Sequence, residues 1–302
     1  MSKKIKITLI LIVSILCFGL LYVFTYVPPI PKEHGIVETK LFLGKTEKQP
    51  LIVAFGGGGG GNDWSRTYLK EKRDSLNNKG YAILAIGYFH SNGTPANLDR
   101  ISLDAIRDSI LSIAKNPKID GSKIILMGGS RGGELALNLA SKYKDFKGVI
   151  AMSASNVSFP ALTWSSNTSA WTYKNKEVPY VPATLKTISP ALKGDHFTAF
   201  SMMLEDKEAV KKAEIEVENI NGSVLLISGI KDDQWPSTVM SDQIVNRLKQ
   251  NNFKHYYSHI KLDGGHIAPL DHFNLIYDYL DKNFQKEKKK KKNQPPTAVC
   301  RD

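Results

Sequence analysis

Cysteine is nearly absent from this 302-residue chain: only Cys17 and Cys300 occur. One lies in an N-terminal apolar run and the other near the C-terminus, so no disulfide within a domain is expected and the fold must rest on its core. There is no cysteine pair and no His-Glu-x-x-His, and no metal is expected, because the usual ligand spacings are missing. No Gly-Lys-Ser/Thr follows the six glycines Gly56 to Gly61, which excludes a Walker phosphate loop. Six glycines match G-x-G-x-x-G trivially, but the next expected strand ends in Tyr88-Phe89-His90 without the acidic residue a ribose needs. No cofactor is expected, and no internal repeat is visible.

Negative charge is also in short supply, with 29 Asp and Glu against 41 Lys and Arg, a formal net charge of +12. The excess is uneven. Residues 1–35 carry +3 and residues 286–302 carry +5, which leaves +4 for the body. A body so close to balance gives little support to a nucleic-acid partner, and none is expected. The lysine run of residues 286–302, followed by Pro295-Pro296, is expected to be a disordered, solvated basic tail.

Ile7 to Val27 carries no charge. Its 21 residues reach the roughly 20 that span a bilayer as a helix, exceed the roughly 7–15 of a signal-peptide core, and lack a small-residue cleavage site. Residues 1–27 are therefore expected to be a transmembrane anchor with the membrane as partner. Lys3, Lys4 and Lys6 would stay on the cytoplasmic side and the catalytic body would be extracytoplasmic. The alternative is secretion after signal-peptide cleavage. Pro28-Pro29-Ile30-Pro31 begins a stiff linker over 28–37.

From residue 38 to 285 strands and helices alternate. Leu51–Phe55, Tyr81–Gly87, Lys123–Met127, Gly148–Met152, Val224–Ser228 and the stretch near Tyr256–Ile260 are short apolar runs that read as buried strands. Leu103, Ile106, Ile110 and Ile113 recur at helical spacing. Further helices are expected from an Asn62 or Asp63 cap to about Asn78, over Glu134–Ser141, and over Asp271–Phe284. This alternation predicts an α/β fold, a mainly parallel sheet with helices on both faces. Residues 155–215 break the rhythm with Trp164, Trp171, Tyr173 and several prolines, and read as a lid-like insertion.

Gly128-x-Ser130-x-Gly132 sits between the strand ending at Met127 and the helix beginning near Glu134. Strand, G-x-S-x-G, helix is the setting of a nucleophile elbow, and glycines two residues either side let the strained turn pack closely. A serine hydroxyl needs a base, and the base needs an orienting carboxylate. In the order Ser, acid, His, the acid should lie in the loop Gly229–Ser237, where Asp232 and Asp233 both stand. The base should be His266, in a glycine-flanked loop after the last strand. His34, His90, His255 and His259 are less aptly placed. Two backbone donors are needed for an oxyanion. Arg131, after the nucleophile, supplies one, and the glycine loop, at Gly57 and Gly58, supplies the other.

Together these stretches resemble the catalytic domain of the acyl-CoA thioesterase and bile-acid-CoA:amino-acid N-acyltransferase family, within the α/β-hydrolases and near the dienelactone hydrolases. The matching segments are LMGGSRGGELALNLAS, IEVENINGSVLLISG, DDQWPS and GGHI, and the likeness covers roughly residues 38–285. It implies an α/β-hydrolase fold with Ser130 as nucleophile, Asp232 rather than Asp233 as acid, and His266 as base. Eukaryotic members carry an N-terminal β-sandwich, for which residues 28–50 are too few. The implied activity is hydrolysis of a small-molecule acyl ester or thioester through an acyl-enzyme. Serine favours water as acceptor, whereas cysteine members tend toward transfer to an amine. The alternatives are an acyltransferase to an amine acceptor and a non-catalytic surface-binding protein on the same fold.

Overall fold

The computed structural model describes residues 2–284, so the expected basic tail at 286–302 lies outside the described residues. The body is built on seven strands: β1 (Glu38–Phe42), β2 (Gln49–Phe55), β3 (Ala82–Gly87), β5 (Ile119–Gly129), β6 (Phe146–Met152), β9 (Ser223–Gly229) and β10 (Tyr257–Leu262), with the short β4 (Ile101–Ser102), β7 (Trp171–Tyr173) and β8 (Lys176–Glu177) belonging to a smaller sheet. Their order is β1-β3-β2-β5-β6-β9-β10. Only β1 runs antiparallel to its neighbour, β3; the other pairs are parallel.

The reason lies in the strand sequences. Leu51-Ile-Val-Ala-Phe55 is apolar at every position, which suits a strand covered on both faces. Alternate residues go to opposite sides. Leu51, Val53 and Phe55 join one core cluster, and Ile52 and Ala54 join the other. On the first side the sheet is covered by α3 (Leu103–Ala114), α4 (Arg131–Lys142) and α8 (Ser237–Gln250), through Ile106, Ile110, Leu135, Leu139, Ile244 and Leu248. On the second side α2 (Lys70–Asn78) and α10 (Asn274–Phe284) bury Leu76, Ile276 and Leu280. The expected α/β architecture is what the chain forms.

Two expected helices differ in detail. Asp63–Ser65 and Thr67–Leu69 are 3-10 turns, and α2 begins only at Lys70. Arg66 between them is extended (ψ 160°), and its carbonyl accepts from Arg73 Nη1 at 2.6 Å as well as from the Leu69 amide of the second 3-10 turn at 3.4 Å. The helix expected over Asp271–Phe284 begins later, as α10 (Asn274–Phe284), after a separate short α9 (Ala268–Asp271), because His272 leaves helical geometry at φ −108°, ψ 42°.

The N-terminal expectation requires correction. Lys3–Thr25 forms a helix, α1, but among the described residues no helix is long and apolar enough to cross a membrane. The transmembrane anchor over 1–27 and the membrane partner read from it are not supported. Lys3, Lys4 and Lys6 lie inside the helix rather than ahead of it, and Thr8, Ser14 and Thr25 place hydroxyls along its length.

Residues 155–215 are ordered by two attachments. The first is the small sheet of β4 (Ile101–Ser102), β7 (Trp171–Tyr173) and β8 (Lys176–Glu177), which fixes Trp171 in the main core. The second is a separate apolar cluster in which Val157, Phe159 and Met203 pack with Trp235 and Met240 of the body. Of the helices that follow β8, namely α5 (Leu185–Leu192), α6 (His196–Met203) and α7 (Lys207–Ala213), the last two contribute Met203 and Ala213 to this second cluster.

Candidate active site

Ser130 stands between the end of β5 and the start of α4 with φ 55° and ψ −125°. A side chain in such a region costs about 1–3 kcal/mol and persists only where the surroundings enforce it. The enforcement is visible. The Ser130 amide donates to the Met152 carbonyl at 2.8 Å, and its carbonyl accepts from the amides of Gly133 and Glu134 at 2.9 and 3.1 Å. A Cβ on Gly128 would lie 2.2 Å from the Gly132 carbonyl oxygen, and one on Gly132 would lie 2.3 Å from the Gly56 carbonyl oxygen. The glycines flanking the serine are thus required by close backbone approach.

The same packing brings the glycine loop over the serine. A Cβ on Gly57 would sit 3.4 Å from Ser130 Cβ and 3.9 Å from Oγ, and one on Gly58 would sit 3.3 Å from Arg131 Cγ. Arg131 is the first residue of α4, so its amide has no partner within the helix.

Asp232 follows β9 and is almost fully buried, its side chain 2% exposed. Oδ1 accepts from the amides of Gln234 (2.9 Å) and Trp235 (3.3 Å), and Oδ2 accepts from the Ser237 hydroxyl. Both oxygens lie 2.9 Å from Nδ1 of His266. Burial alone would raise this carboxyl's pKa, but the hydrogen bonds from His266 and Ser237 outweigh it and hold the group below the ordinary carboxylate value. An ionised carboxylate at Nδ1 fixes the tautomer with the proton there and leaves Nε2 as the basic nitrogen. His266 follows β10, and the approach of its loop to β9 depends on Gly229: a Cβ there would lie 2.3 Å from the carbonyl oxygens of Gly264 and Gly265. Behind the imidazole, Trp235 packs edge-on with ring centroids 5.9 Å apart, and its Nε1 donates to the Ser153 carbonyl at 2.9 Å. Ser153 Oγ in turn donates to the His266 carbonyl at 2.8 Å.

Gly57, Gly58, Ser130, Arg131 and His266 line one cavity of about 890 Å³, whose walls include Phe55, Trp64, Met152 and Phe200. Asp233 lines it as well, but it is Asp232 that bonds the imidazole. Among the histidines set aside, His259 lies apart in β10, bonded to Ser228 and Asp242, while His34 Nδ1 meets the Pro31 carbonyl.

Several residues of the site were not singled out by sequence. Glu134 is fully buried and acts as a hub. It accepts from Arg131 Nη1 (2.7 Å), Trp171 Nε1 (2.6 Å), the Phe159 amide (3.2 Å) and the Ser155 hydroxyl (3.4 Å). Arg131 Nη2 donates to the carbonyls of Phe159 (3.3 Å) and Pro160 (2.7 Å). This pair ties the turn bearing Ser130 to the 155–215 segment. Burial pushes the Glu134 carboxyl up, against the pull of Arg131 and the other donors. Its signal was a lone charge in the otherwise apolar run Gly132-Gly-Glu-Leu-Ala. His196, at the start of α6, and Lys231 also line the cavity; nothing in their local sequence marked them.

Residues 101–273 match the family model described as BAAT / Acyl-CoA thioester hydrolase C terminal. Among characterised proteins, the chain is 29% identical over 223 residues to acyl-coenzyme A thioesterase 1 of Mus musculus, covering 73% of this chain and 49% of that one. It is 26% identical over 249 residues to the mitochondrial acyl-coenzyme A thioesterase 2 of Rattus norvegicus, covering 82% and 51%. The chain thus spans about half the length of the curated relatives it matches. The uncomplexed acylaminoacyl peptidase of Pyrococcus horikoshii superposes with a TM-score of 0.58 at 18% identity, covering 82% of this chain and 39% of that one. At that identity the likeness speaks for the α/β-hydrolase fold alone. With more than half its length in the family model, this chain belongs to the BAAT / acyl-CoA thioester hydrolase C-terminal family.

Proposed function

We propose that this protein is a serine hydrolase of acyl esters and thioesters, working through Ser130, His266 and Asp232. The observation that carries the reading is the pairing of His266 Nδ1 with buried Asp232 at 2.9 Å, on the wall of the same cavity that holds Ser130 on its strained turn. The names of the relatives, acyl-coenzyme A thioesterases, support an activated acyl group as substrate.

The chemistry follows from the arrangement. His266 Nε2 takes the Ser130 proton as Oγ attacks the acyl carbonyl. Asp232 stabilises the imidazolium without taking its proton. The oxyanion is met by the amide of Arg131 and those of Gly57 and Gly58; a single donor of this kind contributes about 3–4 kcal/mol to the barrier in comparable sites. Collapse breaks the bond to the leaving group, which departs with the proton from His266. Water, deprotonated by the same imidazole, then hydrolyses the oxygen ester on Ser130. The apolar walls Phe55, Trp64, Met152 and Phe200 hold the acyl chain. Residues 155–215 serve as the cover of this site, with Leu162, His196 and Phe200 facing the cavity.

The test is turnover of a graded series of acyl thioesters and p-nitrophenyl esters by wild type and Ser130→Ala. Activity that requires Ser130 and releases free acid even with excess glycine supports hydrolysis. Undiminished turnover by Ser130→Ala would remove the reading.

A further inference from the structure

A second Ser-His-Asp constellation lies close behind the proposed acid. Ser228 Oγ is 2.7 Å from His259 Nε2, and His259 Nδ1 is 3.0 Å from Asp242 Oδ1. Ser228 is fully buried and is not among the residues lining the active-site cavity. It therefore cannot reach a substrate, and the group calls for a role other than nucleophilic attack.

The connections of this group lead to the acid turn. Asp242 is on α8 and carries a second partner, Lys261 Nζ, on Oδ2 at 2.7 Å. With its Nδ1 proton on Asp242, His259 accepts the Ser228 hydroxyl proton at Nε2. Ser228 Oγ also lies 2.8 Å from Thr238 Oγ1, which donates to the Gly229 carbonyl at 3.0 Å. The single Thr238 proton is thus shared between Ser228 and Gly229. The same Gly229 carbonyl receives the Asp232 amide at 3.3 Å, and Ser237, next to Thr238, donates its hydroxyl to Asp232 Oδ2. Helix α8 has no side-chain cap, since Pro236 stands at its N-cap. The two hydroxyls of its first turn instead grip the end of β9 and the acid.

We infer that Asp242, His259, Ser228 and Thr238 form a positioning relay that orients Asp232 for its work on His266. The inference rests on the triad reading above. None of the four touches substrate. They act by fixing the first turn of α8, hence the Ser237 hydroxyl and the Gly229 carbonyl, against the carboxylate. Positioning of this kind shows in the chemical step, where small misplacements cost roughly tenfold or more.

The experiment uses the full chain with Thr238→Val, which removes the hydroxyl at nearly constant volume, Thr238→Ser, which restores it, and Ser228→Ala. Asp242→Asn, at a half-exposed side chain, is the variant least exposed to a folding failure. Turnover of a p-nitrophenyl ester is normalised to sites titrated by a fluorophosphonate, so unfolded protein does not count. The relay requires kcat per site to fall about tenfold in Thr238→Val and Ser228→Ala and about threefold in Asp242→Asn, with KM within about twofold and Thr238→Ser near wild type. Normalised kcat values within about twofold of wild type in Thr238→Val, Ser228→Ala and Asp242→Asn overturn the relay while leaving the triad intact. If Ser130→Ala keeps full turnover, the triad reading fails and the relay falls with it.

Discussion

Replacing Glu134 with alanine tests how the turn bearing Ser130 is held. The carboxylate is fully buried and is the ion-pair partner of Arg131, whose side chain is 3% exposed. Removing it leaves the guanidinium with only the carbonyls of Phe159 and Pro160, and strips the acceptor from Trp171 Nε1 and the Phe159 amide. An uncompensated buried charge costs about 3–5 kcal/mol, and each orphaned donor adds about 1–3 kcal/mol, not fully additively. Glu134→Ala should therefore lose at least about 4 kcal/mol, a large part of a normal folding free energy. Burial also works against the charged carboxylate, so the pair's net contribution is small beside the cost of breaking it. The double change Arg131→Met with Glu134→Leu should be less damaging than Glu134→Ala alone by the cost of the stranded charge, although Trp171 Nε1 and the Phe159 amide lose their acceptor in both. Urea unfolding of the three variants measures both. A loss below about 1 kcal/mol in Glu134→Ala, or a double variant no better than that single one, would refute the hub.

Backbone strain at Ser130 gives a second prediction. With φ at 55°, Ser130→Gly should be more stable than Ser130→Ala by about 1 kcal/mol in urea melts, both being inactive; equal stabilities would mean the turn is unstrained. The pH dependence of stability gives another. Burial lowers the His259 pKa below its ordinary value, against the opposing pull of Asp242. The unfolded chain then binds the proton more tightly, so this residue's contribution is complete above about pH 6.5 and is lost as pH falls toward the lower folded value. His259→Gln should flatten that part of the stability curve, and an unchanged slope would count against the assignment.

Much of this architecture was legible in the sequence because buried parallel strands are apolar at every position. The runs at Leu51, Tyr81, Gly148 and Val224 could hardly be anything else. The elbow was legible for a local reason: Gly128, Ser130 and Gly132 mark contacts that tolerate no Cβ. The interruption at Arg66 was not, because it depends on Arg73 reaching back to the Arg66 carbonyl from the following helix. Glu134 and Ser237 were overlooked because their partners, Trp171 and Asp232, become visible only once the loops are folded. The choice between Asp232 and Asp233 needed three dimensions or a resemblance, since adjacent residues point to opposite environments.

The most direct measurement of the central claim is intact-mass analysis after exposure to a fluorophosphonate, with peptide mapping of the adduct. A single adduct on Ser130 is predicted, absent in Ser130→Ala and formed much more slowly in His266→Ala. Folded protein that takes no adduct, or takes one equally well without His266, would contradict the account.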